Sequence, residues 1–142
     1  MSDGPAAARE GSVPQLAYFD LILADFDAGR ATRHAHLGHW DDPGTPPVTI
    51  SEVHAAQQHA AEVLVDLLDV GPGHVVLDVG CGLSGSVELI SGGRPDAHVI
   101  GLNIDRRQLN RCRTVAAPAP GRVAWTRADA LGVPLGGATV AR

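Results

Sequence analysis

Residues 75–85 read Val75-Val76-Leu77-Asp78-Val79-Gly80-Cys81-Gly82-Leu83-Ser84-Gly85. An apolar run enters a glycine-rich turn, with a carboxylate two positions before the first glycine. The run predicts a buried strand over 75–79. Gly80, Gly82 and Gly85 let a ligand approach the backbone where a helix begins. Asp78 falls at the carboxyl end of that strand, beside the turn. A negative group there suits a ligand carrying positive charge, such as an amino-acid ammonium. It suits a pyrophosphate poorly.

Outward from this turn the pattern alternates between strand and helix. After the turn, Val87, Leu89 and Ile90 mark a helix, and His98–Asn103 reads as a second strand. A helix over about 106–116 puts Leu109 and Cys112 inward, and the Pro118-Ala119-Pro120-Gly121 turn leads into a third strand, Val123–Arg127. Such alternation implies a parallel sheet with right-handed crossovers, in spatial order 3-2-1. Upstream, Ser12 can cap a helix with Pro14 in its first turn, and Leu16, Phe19, Leu23 and Phe26 form an apolar stripe. Residues 30–47 read as a loop. A second helix starts near Ser51, with Val53, Ala56, Ala60, Val63 and Leu67 on one face, and stops before the breaker run Gly71-Pro72-Gly73. The expected organisation is a disordered tail over 1–11, a helical cap and loop over 12–70, and a Rossmann-like half-domain over 71–142.

Composition narrows the function classes. A chain of 142 residues with 44 % hydrophobic content builds one domain with a core. No apolar run approaches the ~18–20 residues of a membrane span, and the first twelve residues carry no hydrophobic centre, so no signal peptide is expected. The formal charge of −5 argues against nucleic acid as a partner. Two cysteines give no disulfide framework, which fits free thiols in a cytoplasmic protein.

The glycine turn with its preceding acid resembles the first motif of class I S-adenosylmethionine (SAM)-dependent methyltransferases of the small-molecule type. The resemblance covers Pro72–Leu135 and, more loosely, the N-terminal cap. It implies that Gly80 and Gly82, with Cys81 packed between them, form the floor under SAM, and that Asp78 holds its methionine ammonium. Asn103 and Ile104, closing the second strand, would meet the ribose, where most such families place an acid. Asparagine forfeits a charge-assisted bond there, a difference of order 1 kcal/mol. Asp105 is either a second ribose contact or an acid at a helix start. Asp129 would accept from the adenine amino group, with the Ala130 amide nearby. Leu102 and Leu131 are candidates for the adenine face. Ser84 departs from families that have glycine there.

The literal Gly-x-Gly-x-x-Gly spacing also satisfies the dinucleotide fingerprint. A nicotinamide-binding reading, however, calls for an apolar residue at 78 and an acid near the end of the second strand. Asp78 and Asn103 supply neither.

The stretch His36-Leu37-Gly38-His39-Trp40-Asp41-Asp42 is similar to a cap loop of small-molecule methyltransferases that leans over the cofactor. That role implies Trp40 as a cover for SAM and His36 or His39 as general base; the plain alternative is a solvated loop histidine. No metal site is expected from His34-x-His36-x-x-His39, because no further ligand cluster in the sequence completes it.

The class I sheet implied by the resemblance has order 3-2-1-4-5-7-6, of which this sequence supplies only the first half. The expected function is therefore a SAM-dependent methyltransferase acting on a small-molecule acceptor, truncated, with turnover by these residues alone not expected. The alternative is a non-catalytic half-domain that completes its sheet with a partner chain, self-associating through the unpaired strand 75–79.

Overall fold

The computed structural model describes residues 17–42, 49–114 and 122–133. Its sheet has three parallel strands, β1 (Val75–Val79), β2 (His98–Asn103) and β3 (Val123–Arg127), in spatial order β1-β2-β3. Val75 pairs with His98 and Val79 with Leu102; on the other side Val99 pairs with Val123 and Asn103 with Arg127. The expected 3-2-1 order is what forms, since each strand–helix–strand crossover sets the next strand beside the last. The expected tail over 1–11, the Ser12 cap, Pro14, Leu16, the 118–121 turn and the end of the half-domain beyond residue 133 lie outside the described residues.

Two helices provide the crossovers, α3 (Gly85–Gly93) and α4 (Arg106–Thr114). Both pack on β2, which makes β2 the centre of the core. Val99 and Leu109 are completely buried, joined by Val87 and Ile90 of α3, Cys81 and Val65. β1 hydrogen-bonds only β2 among the described residues, so Val75 and Val79 remain 65 % and 51 % exposed although they are strand valines. No helix among the described residues is long and apolar enough to cross a membrane.

Helix α1 (Ala17–Asp27) buries Leu23, with Phe19 and Phe26 half-buried, as the stripe requires. It is tied to α4 by two ion pairs, Arg107–Asp20 and Arg111–Asp27, the latter at 2.5 Å. Helix α2 (Ile50–Leu67) begins one turn-residue earlier than the hydrophobic pattern suggests. Thr49 caps it: its Oγ1 accepts from Glu52 N, and Glu52 Oε2 accepts from Thr49 N at 2.9 Å, a reciprocal capping box.

The buried face of α2 also differs from the expected one. Ala56, Ala61 and Val65 are buried, whereas Leu67 is 76 % exposed. The reason is that α2 has two neighbours on different sides. Val65 joins the core beneath α3, while Ala56 meets the loop over 30–42. A single-stripe reading presumes one packing surface. Gly38 makes the second contact feasible: at φ +88° its Cα lies so near Ala56 that a Cβ would stand 2.8 Å from that residue.

Gly101 in β2 has a similar constraint. A Cβ there would lie 2.5 Å from the Trp125 ring and 3.2 Å from Cys81 Sγ. Gly101→Ala is therefore expected to destabilise the chain by about 1–3 kcal/mol through overpacking. Gly93→Ala, where nothing lies within 4 Å, should instead gain about 0.5 kcal/mol from reduced freedom of the unfolded chain. Urea titration of both variants, followed by Trp125 fluorescence, checks the pair.

Candidate functional site

The turn after β1 is held from behind by one carbonyl. Leu102 O accepts from Gly80 N at 2.8 Å and from Cys81 N at 3.0 Å. Reversing the chain here places Gly80 at φ +81° and Gly82 at φ +54°, conformations that glycine adopts without a Cβ penalty. Ser84 is also left-handed, at φ +77°, at a cost of roughly 1–2 kcal/mol for a residue with a Cβ. This explains why glycine suits the position. The third glycine has another purpose: a Cβ on Gly85 would fall 2.2 Å from the His34 ring, so the bare helix start is what seats the loop histidine.

Asn103 locks the turn to β2 and α4. Its Nδ2 donates to Gly82 O at 3.3 Å and to Gln108 Oε1 at 2.8 Å, and its Oδ1 accepts from Asp105 N at 3.1 Å. A carboxylate at 103 would lack the donor that Gly82 O receives. In this chain asparagine thus ties the turn to β2 and α4, whatever else it touches. Asp105 serves at the start of α4, accepting from Arg107 N at 2.7 Å, and the Arg107 guanidinium holds its carboxyl below the usual range despite partial burial.

Two cavities meet at Gly80 and Gly82. The larger, about 440 Å³, runs along the carboxyl ends of the strands. Its floor is Val79, Gly80, Gly82 and Leu102; Asn103, Ile104 and Gln108 form one side, Ala128, Asp129 and Ala130 the far end, and Tyr18, Phe19 and Ile22 of α1 the roof. The smaller, about 220 Å³, lies between the turn and the loop, lined by Asp78, Cys81, Gly85, Ser86, Arg33, His34 and His36. A ligand long enough to fill both would cross the glycines.

Electrostatically the smaller cavity centres on Asp78. Its Oδ2 is buried and has no hydrogen-bond partner among the described residues, and burial pushes its carboxyl above the ordinary range. Arg33 lies in the same cavity but is engaged elsewhere, 3.0 Å from Glu88 Oε2 and 3.3 Å from Ser84 Oγ. His36 Nδ1 accepts from Gly38 N at 3.2 Å, which leaves its Nε2 carrying the proton in the neutral ring. Burial, then the neighbouring His34, holds that ring below the usual imidazole range. The Cys81 thiol is pushed far above the thiol range by its contact with the Cys112 thiol and by burial, and so is no nucleophile.

Of the residues singled out from sequence, Asp78, Gly80, Cys81, Gly82, Asn103, Ile104, Asp129, Ala130 and His36 line one cavity or both. His39 and Trp40 line neither; the Trp40 indole donates to Leu37 O at 3.1 Å. Leu102 is on the floor, but Leu131 is 96 % exposed and outside. Asp129 Oδ1 accepts from Leu131 N at 2.9 Å, capping the short turn Ala130–Gly132. Three contributions were not anticipated: the α1 roof, Gln108 and Arg33. Gln108 is 3 % exposed; a glutamine inside a helix gives no signal of its own.

A parallel sheet with its crevice at a glycine turn, an acid before the turn and a second acid after β3 place the chain in a class by fold: part of the Rossmann-like fold of class I SAM-dependent methyltransferases. The match is specific. Residues 47–122, more than half the chain, match the mycolic acid cyclopropane synthetase family, and the chain belongs to that family. Methyltransferase GfsG of Streptomyces halstedii is 35 % identical over 105 residues, covering 72 % of this chain and 36 % of the relative. A solved geranyl diphosphate methyltransferase in complex with SAM superposes with TM-score 0.61 at 26 % identity, covering 73 % of this chain and 47 % of that one. The [4+2]-cyclase SpnF superposes with TM-score 0.67 at 19 % identity over 83 % of this chain and 42 % of its own, a likeness of fold alone. The chain therefore spans less than half the length of each of these proteins.

Asp78 generates a prediction with a definite sign. An acid whose folded pKa is raised favours folding only while protonated, so its contribution is best below the ordinary value of ~3.9 and is lost as pH rises through the raised pKa. Asp78→Asn should therefore be more stable than the parent at pH 7, and the advantage should vanish at the acid end of that window. Thermal unfolding of both proteins across pH 3–8 measures it.

Proposed function

We propose that this chain is the cofactor-binding half of a SAM-dependent methyltransferase that acts on a small-molecule acceptor. The observation that carries the reading is the carboxylate of Asp78, a residue lining a cavity beside a glycine turn, with one oxygen buried and without a partner among the described residues. A buried charge without a partner is costly. An amino-acid ammonium would supply the missing charge and hydrogen bonds. Family membership supports the same cofactor.

Each side chain then has a task. Asp78 accepts from the methionine ammonium, while the His36 Nε2–H, in the same cavity, suits the methionine carboxylate, with Arg33, also lining it, already paired with Glu88. His36 is thus better placed as a donor than as the general base, since its basic nitrogen already accepts from Gly38 N. Gly80 and Gly82 admit the ligand over the backbone. Asn103 and Ile104 border the ribose, and Asp129 with the Ala130 amide border the adenine. Tyr18, Phe19 and Ile22 exclude water from above. Bound there, SAM supplies a methyl group activated by its sulfonium. The contribution of these residues is alignment, the main requirement of a displacement between two bound partners.

The acceptor is a small organic molecule, since the charge of −5 offers no basic stripe for nucleic acid. A geranyl diphosphate 2-C-methyltransferase of Streptomyces lasalocidi, 43 % identical over 84 residues, is one relative with such a substrate in its name. A second reading is favoured by the outer edge of β1, an edge that pairs with no strand among the described residues, and by its exposed Val75 and Val79: the half-sheet is completed by pairing there, with a second copy as one occupant.

The primary reading is tested by ligand dissection. S-adenosylhomocysteine should bind, and Asp78→Asn should weaken it by about tenfold or more, as loss of a hydrogen bond to a charged group implies. 5′-Methylthioadenosine, which lacks the amino-acid end, should bind both proteins equally, and NADH neither. Isothermal titration gives all four constants; equal loss of both adenosyl ligands, or NADH binding, contradicts the assignment.

A further inference from the structure

The loop over 30–42 is fastened to one stretch of α2, residues 54–58. His54 Nε2 lies 3.1 Å from Arg30 O, Gln57 Nε2 donates to His36 O at 2.6 Å, and His34 Nε2 meets Gln58 Oε1 at 2.9 Å. His39 N then donates to Ala56 O at 2.8 Å. This backbone bond sets the His39 side chain against His59, ring centroids 5.0 Å apart and ring planes at 88°. Asp41 Oδ1 is 3.9 Å from His39 Nε2. One donor atom from each of His39, Asp41 and His59 lies within 4.8 Å of the other two.

We propose that His39, Asp41 and His59 form a binding site for a borderline divalent cation of the zinc class, with water completing the coordination. Two imidazoles and one carboxylate are the donor set such ions prefer, whereas magnesium and calcium take oxygens. Tetrahedral zinc with bonds of ~2.0–2.1 Å wants its donors about 3.3 Å apart, so the three side chains have to draw together by about an ångström. They have the freedom: the His39 and Asp41 side chains are 52 % and 87 % exposed. The sequence pattern led to no expected metal site; His34 and His36 turn toward the glycine-turn cavity, and only His39 of that trio stands in the cluster. The completing ligand comes from α2, twenty residues beyond His39, a proximity created only when the loop docks.

None of the three lines either cavity. The ion is therefore a staple rather than a catalytic centre, joining the loop that carries Arg33, His34 and His36 to a rigid helix. It also occupies His39, which removes that residue as a general base. This assignment is independent of the cofactor reading.

The test is isothermal titration of zinc chloride into the metal-free, untagged chain, with native mass spectrometry for stoichiometry. The expected result is one zinc per chain, a raised melting temperature, and affinity at least ~10-fold weaker in both Asp41→Asn and His59→Gln, the loss that removing even an outer-shell partner causes. Magnesium should not compete. Asp41 is so exposed that its variant keeps the fold, so the result does not depend on His59→Gln folding. No zinc binding, or binding that neither variant weakens, overturns the proposal.

Discussion

The Leu102 carbonyl, accepting from both Gly80 N and Cys81 N, is the bond on which the site depends. It closes the turn against β2, the one strand paired on both sides among the described residues. Because the acceptor is the central strand, the turn inherits the rigidity of the core, with Val99 and Leu109 sealed beneath it. Asn103 adds the second tie, from the next residue of the same strand to Gly82 O. Together they set Gly80 and Gly82 between the two cavities, where a ligand passes over bare backbone. If β2 shifted, the acid before the turn and the acid after β3 would lose their common reference.

The site is built at the expense of stability. Ser84 is held left-handed, and Asp78 keeps a carboxylate oxygen buried without a partner among the described residues. Such strained or unpaired groups persist only where surrounding structure over-determines them, and they concentrate at functional sites. The surface ion pairs from α1 to α4 offset little of this, since both aspartates are about half exposed. What those pairs do is position α1, so that Tyr18, Phe19 and Ile22 roof the larger cavity.

Much of this was legible in the sequence because it is local. Each strand is a short apolar run bounded by breakers, and the glycine turn declares itself through its spacing and the acid at 78. The remainder is tertiary. Gly85 reads as a glycine that lets a ligand approach the backbone, yet its particular partner is His34, fifty-one residues upstream. Asn103 reads as a weakened ribose ligand, while in the folded chain its amide also donates to Gly82 O. The α2 face was misjudged because two packing surfaces divide one helix, and periodicity describes only one. Thr49 and Glu52 did carry a local signature, the spacing of a capping box, that marks the helix start better than the hydrophobic pattern does.

The cofactor assignment stands on the charge state of one group, and that state is measurable. In the ligand-free chain, a carbon-13 carboxyl titration followed by nuclear magnetic resonance should give Asp78 a pKa above the ordinary aspartate value, because burial disfavours its anion. Saturating S-adenosylhomocysteine should carry it below that value, since an ammonium within contact distance favours the anion. An Asp78 resonance that titrates identically with and without the ligand would mean the amino-acid end does not reach it, and the account of the site would be wrong.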